Sequence, residues 1–233
     1  MTALLSGDVG NVLNFLGAVS ALGAAAMGLV DATKAFGGGA SNFGFGYIRD
    51  AVTPFLPTAS GARNPNVEFD ILRTLRANWV NGVAKADQKA KAKALIHLGL
   101  TQGSAGQLAA VAGVDAAKLQ SLAAKTAAGT APSQDEINVL GQFDVVLSAI
   151  LDQAYERGDQ KYRNACKVLA LIFSTILGGF GGWFVFGNGA VPTGPQLVLS
   201  LLVGFIATPL APISKDLATS LQAAVSAVGT IKR

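Results

Sequence analysis

The sequence predicts an all-α fold, a polytopic helical membrane protein with about three transmembrane helices and one cytoplasmic helical domain. Three observations predict it. Of the 233 residues, 51% are hydrophobic and only 14% charged, against about 25% charged in a typical soluble domain. The charge is concentrated: of the 18 Lys and Arg, all but Lys215, Lys232 and Arg233 fall between Lys34 and Lys167. Three apolar runs approach the length of about 20 residues that a helix needs to cross a bilayer. An Ala/Gly-rich soluble helical protein would account for the 28 glycines, but not for runs of that length.

The first run, Val12 to Val30, is rich in Gly and Ala, holds Asn14 and Ser20, and ends at Asp31 and Lys34. It is the weakest of the three by hydropathy, and a buried helix is the alternative reading. The second, Val168 to Phe186, has no charge, and Ser174 and Thr175 are its only hydroxyls. Trp183 stands near its far end, where interfacial aromatics collect. The third, Leu197 to Ile213, is short, and Pro209 and Pro212 are expected to kink or end it. Between the second and third lie Gly187, Gly189, Pro192, Gly194 and Pro195. These are turn residues, so the two runs form an antiparallel hairpin. The resulting partition is 1–37 N-terminal transmembrane helix, 38–65 linker at the membrane interface, 66–166 basic cytoplasmic domain, 167–214 transmembrane hairpin and 215–233 amphipathic helix.

Charge sets the orientation. Three crossings put every basic residue on one side and every bare loop on the other. Cytoplasmic loops carry the excess of Lys and Arg, so the N-terminus is expected outside and the C-terminus in the cytoplasm, in a bacterial inner membrane. The first ten residues carry no Lys or Arg, so the positive n-region of a cleavable signal is missing.

The segment 38–65 shows no clear period. Phe43, Phe45 and Tyr47 alternate with glycine and suit either the headgroup zone or an irregular loop. In the middle domain Asn66 is placed to cap a helix with Phe69, Leu72, Arg76, Trp79 and Val83 at three- and four-residue spacing. Lys85, Lys89, Lys91 and Lys93 follow as a basic, alanine-rich stretch. Ser133 and Glu136 make a capping box. The helix after it carries Ile137, Leu140, Asp144, Leu147 and Leu151, and a break is expected near Gly158.

The run Gln107-Leu108-Ala109-Ala110-Val111-Ala112-Gly113-Val114, with Leu119 and Leu122, resembles the helix-turn-helix of bacterial DNA-binding proteins. The resemblance implies Ala109 where two helices cross, Gly113 in the turn, and Val114 and Leu119 in the shared core. Its recognition helix would offer Lys118, Gln120, Ser121 and Lys125, but no Arg or Asn for bidentate base contacts. A helix–turn–helix packing unit explains the same positions, and no nucleic-acid partner is expected.

Catalytic chemistry has little to work with. His97 is the only histidine and Cys166 the only cysteine, so no ordinary zinc site and no intrachain disulfide arise. No metal, cofactor or enzyme activity is expected. No acidic, basic or histidine side chain lies inside the second or third run, which argues against an ion-coupled pump. Gly178 and Gly182, a small-xxx-small pair, join Gly17 and Gly28 as expected positions for oligomer or helix packing. Lys85, Lys89, Lys91, Lys93 and Trp183 are expected to meet lipid headgroups. The reading that follows is a non-enzymatic, homo-oligomeric scaffold or docking platform with the lipid bilayer and a cytoplasmic protein as partners. The alternative is a channel or passive transporter with a pore between subunits, faced by Ser174, Thr175, Ser200 and Thr208.

Overall fold

Helical spacing dominates the chain, and eight α-helices form among the described residues. The computed structural model describes the backbone of residues 2–56, 58–59, 62–63, 65–187 and 191–231, and side chains over 10–56, 70–186, 191–213, 217 and 220. The helices are α1 Thr2–Ala32, α2 Asn42–Val52, α3 Pro65–Val80, α4 Lys85–Leu98, α5 Ala105–Ala112, α6 Ala116–Ala127, α7 Gln134–Gly187 and α8 Gly194–Ile231. The extended pairing among the described residues is a two-residue antiparallel ladder of β1 Thr58–Ala59 on β2 Ala62–Arg63. The chain divides into two compact units, 1–40 with 163–233 and 41–162; α7 supplies residues to both.

The first unit is made by α1, the second part of α7 and α8. Three helices are long and apolar enough to cross a membrane, with the candidate stretches inside Gly10–Ala35, Gln134–Phe186 and Gly194–Ile213. Its size distribution is inverted relative to a soluble core. Ala26, Ala170, Ser174, Ser200 and Ala207 are buried, while Phe15, Ile172, Phe180, Phe184, Leu202 and Phe205 are exposed. Water-soluble proteins place their large apolar side chains the other way round.

Two expectations for this region are corrected. Of the two outcomes expected at Pro209 and Pro212, a kink or an end, the end does not occur: α8 is one helix through both, to Ile231. Proline fixes φ near a helical value, and what it removes is one N–H and the bond to the carbonyl four residues back. Phe205 and Thr208 therefore keep carbonyls without their usual helical donor. The amphipathic helix expected at 215–233 is a continuation of α8, and nearly all its side chains lie outside the described residues.

The second unit has ordinary soluble packing. Phe143, Leu147, Leu151 and Tyr155 recur every four residues down one face of α7, and all are buried. They meet Leu75 and Trp79 of α3, Ile96 of α4, Leu108 of α5 and Leu119 of α6 in one core. The core also takes in Phe45, Ile48 and Val52 of α2, with Phe55 and Leu56 after it. The expected linker 38–65 thus supplies a core helix. Glycine lowers helix propensity by about 1 kcal/mol per residue, and Gly44 and Gly46 mask the three- and four-residue spacing of Phe45, Ile48 and Val52. Phe43 and Tyr47 are exposed.

Gly44 also explains why α7 is unbroken at Gly158. A methyl on Gly158 would stand 3.0 Å from the Gly44 carbonyl oxygen, and one on Gly44 would stand 2.6 Å from the Trp79 ring. The two glycines let α2 and α7 approach backbone to backbone, so Gly158 is a contact point, not a break. Trp79 covers the crossing, donates Nε1–H to the Ser41 carbonyl at 2.7 Å, and packs edge-on to Tyr162. Asn66 lies inside α3, which begins at Pro65, and its side chain, like that of Phe69, is outside the described residues.

The α5–α6 turn forms at Gly113, which takes φ +68° as the C-cap of α5; a left-handed residue there suits glycine. Val114 N–H then returns to the Ala109 carbonyl at 3.0 Å, and Asp115 caps α6 by accepting the Lys118 N–H at 3.1 Å. Ala109 and Leu119 are fully buried, as the helix-turn-helix resemblance implies.

Candidate functional site

Small residues let two helix backbones meet, and α7 and α8 meet through them. A methyl on Gly178 would stand 2.6 Å from Gly204 Cα and 2.7 Å from the Ser200 carbonyl oxygen. One on Gly182 would strike the Ser200 side chain. Hydroxyls complete the seam. Thr208 Oγ1 donates to Ser174 Oγ at 2.7 Å, with the Ala170 carbonyl 3.2 Å away, and Ser174 Oγ donates to the Leu171 carbonyl at 3.1 Å. Thr175 donates to the Leu171 carbonyl and Ser200 to the Gln196 carbonyl. The four hydroxyls expected to face a pore are thus engaged on backbone or on one another.

α1 joins the same unit through Gly23, where a methyl would stand 2.9 Å from the Ala207 carbonyl oxygen and would strike Ala211. A methyl on Gly17 or Gly28 would meet nothing within 4 Å, and neither would one on Gly10. The four expected packing glycines therefore separate into two kinds. Gly178 and Gly182 are occupied within the chain; Gly17 and Gly28 are open.

The lysine stretch is occupied as well. On α4, Lys85 pairs with Asp159 at 2.6 Å and Lys93 with Asp144 at 3.6 Å. Lys89 pairs with Asp152. Lys91 Nζ donates to Asn78 Oδ1 at 3.3 Å. Lys85, Lys89 and Lys93, one turn apart, fasten α4 to α7 along a row of carboxylates. The signal was present in the sequence, because Asp144, Asp152 and Asp159 recur at about two-turn intervals. Trp183 is half-exposed on the far part of α7, free to sit against surrounding solvent or lipid.

His97 extends the row. Its Nε2 lies 2.5 Å from Asp144 Oδ1, and its ring packs edge-on to Phe143. A cavity of about 380 Å³ opens beside it, lined by Leu100, Thr101, Leu122, Thr126 and Leu140 among others. A His–carboxylate pair orients an imidazole, but nucleophilic catalysis also needs a nucleophile within hydrogen-bond reach. None is hydrogen-bonded to His97 among the described residues. No group of three or more His, Cys, Asp or Glu that could hold a metal occurs among the described residues.

The donors of α6 converge on the start of α7. Lys118 pairs with Asp135 at 3.2 Å and Lys125 with Glu136 at 2.9 Å, while Ser121 Oγ donates to Glu136 Oε1 at 2.6 Å. Glu136 also accepts the Ser133 N–H at 2.6 Å, and its own N–H reaches Ser133 Oγ at 3.4 Å. That is the expected capping box. The Ser121 hydroxyl, the Ser133 N–H and the Lys125 ammonium together lower the Glu136 pKa to about 2. Three of the four polar side chains that would read DNA are thereby held against α7; Gln120 remains exposed.

No protein-family model, no curated protein and no solved structure matches the chain. Its class is defined by the fold: an all-helical protein with three helices long and apolar enough to span a membrane.

Proposed function

We propose that this chain is an integral membrane protein of a bacterial inner membrane that works as a homo-oligomeric scaffold, holding its 41–162 unit as a docking platform on the cytoplasmic side. The observation that carries the membrane reading is the inverted size distribution of the first unit. Exposing Phe180, Phe184, Leu202 and Phe205 is costly in water and neutral in lipid, where the chain's own small residues must supply close helix contact. The scaffold reading rests on a unit that keeps its own core and whose lysines and α7 carboxylates are spent on each other.

The oligomer reading is supported by the open face of α1. Gly10, Gly17 and Gly28 are 7 and 11 residues apart, close to two and three turns of about 3.6 residues, so they share one face. Gly23, which packs on α8, lies on another. Glycines without a neighbour permit a second copy to approach closely. The test is native mass spectrometry with thermal melting in one mild detergent with retained lipid. Gly17→Leu and Gly28→Leu are expected to lose subunits while the monomer keeps its melting transition. A wild type monomeric at every mild detergent concentration would overturn the oligomer.

A further inference from the structure

We propose that the first unit holds one anionic phospholipid in a cavity between α1, α7 and α8, its acyl chain against apolar walls and its phosphate on Lys167. The proposal rests on the membrane reading given above. The cavity is about 560 Å³ and lies among Ser20, Met27, Leu171, Thr208, Pro209 and Pro212, with Lys167 as its charged member. Ligand sites commonly measure about 300–1,000 Å³, mostly apolar with a few placed polar groups. This cavity has that character.

Two features of the wall point to an amphiphile, a lining that is mostly apolar and one ammonium at its edge. Lys167 makes no ion pair among the described residues, unlike Lys85, Lys89, Lys93, Lys118 and Lys125. It stands at the start of the uncharged stretch of α7, where a phosphate at the bilayer edge would meet it. A basic pocket between spanning helices on the cytoplasmic side is the recognised setting for anionic headgroups. The lysines of α4 belong to the other unit, where their ammoniums sit on Asp159, Asp152, Asp144 and Asn78.

The experiment uses the full chain in mild detergent, with phosphatidylglycerol and phosphatidylcholine of identical acyl chains in equal amounts, read by native mass spectrometry. The wild type is expected to retain one phosphatidylglycerol per chain in preference to phosphatidylcholine. Lys167→Gln is expected to lower that preference about fivefold, the effect of one lysine near a headgroup. Lys161→Gln, which removes the same charge from an exposed position of the same helix, leaves it unchanged. Ala24→Leu, which places bulk into the cavity wall, abolishes retention of both lipids while the lipid-free melting temperature holds. Equal retention of the two lipids by the wild type, or equal losses in Lys167→Gln and Lys161→Gln, would overturn the site. A chain that stays soluble without detergent would overturn the membrane reading itself, which a failure of lipid selectivity alone would not.

Discussion

Two side chains of the 41–162 unit carry opposite pH signatures. Glu136 has an ordinary carboxylate pKa of 4.5 lowered to about 2 by Ser121, the Ser133 N–H and Lys125. A group with a depressed folded pKa contributes stability that is complete above its unfolded value and is lost as the pH falls through the folded one. The melting temperature of the wild type should therefore fall between about pH 4.5 and 2, and Glu136→Gln should flatten that fall while starting lower at neutral pH. An equally steep acid limb in the variant would show that other carboxylates set it. Tyr155 is the converse case. Burial pushes its phenol from 10.0 up to about 12, and its hydroxyl has no hydrogen-bond partner among the described residues. The folded chain then holds a proton that the unfolded chain releases, so stability is lost as the pH rises from about 10 to 12. An unpaired buried hydroxyl costs about 1–3 kcal/mol. Tyr155→Phe, which keeps the ring against Trp79 at 6.2 Å, should raise the melting temperature at neutral pH and remove its share of the alkaline loss. A lower melting temperature would mean that the hydroxyl is satisfied, for instance by buried water.

At the scale of elements, the α7–α8 pair is decided by glycine. Gly178 meets Gly204, and a methyl on Gly204 would stand 2.8 Å from Thr175 Cα. Overpacking a close contact costs about 1–3 kcal/mol, and a leucine at this crossing exceeds what a methyl would demand. Gly178→Leu should lower the melting transition of the monomer in detergent, and Gly204→Ala should do so by a smaller amount. Gly17→Leu, in open space, should leave that transition in place. If Gly178→Leu instead released subunits from an unaltered monomer, the glycine seam would be intermolecular. The same physics acts at Gly44 and Gly158 in the other unit, where the roof is Trp79. The ion pairs of α4 with α7 are a different kind of fastening. Apart from Asp159, which is more covered, their side chains are exposed or partly exposed, and such pairs contribute about 0–1 kcal/mol each, so they fix register more than stability.

For the whole molecule the testable quantity is topology. In the topology we propose, the Lys/Arg-rich side faces the cytoplasm, which puts Thr126 in the cytoplasm and Thr193 outside. Single cysteines at 126 and 193, in a Cys166→Ser background, should differ toward an impermeant thiol reagent on intact cells. The expected result is labelling at 193 alone. Labelling at 126 alone would invert the orientation, and labelling at both after gentle lysis only would place both ends inside.

What the sequence determined by itself is what period, length and charge carry: the helical class, the three apolar stretches, the capping box at Ser133 and Glu136, and the turn at Gly113. These are local properties, readable wherever a residue's role depends on neighbours within a few positions. Tertiary structure alone decided which glycine meets which backbone. Gly178 and Gly17 look alike in sequence, yet one is filled by Gly204 and the other faces open space. It also decided that α2 is a core helix, because a strong packing face outweighed two glycines, and that α8 continues through Pro209 and Pro212. The lysines of α4 show the limit most plainly. Their charge was legible, but whether an ammonium meets a headgroup or Asp152 depends on a helix more than fifty residues away. Electrostatic partners are chosen by proximity in space, and only the fold creates that proximity.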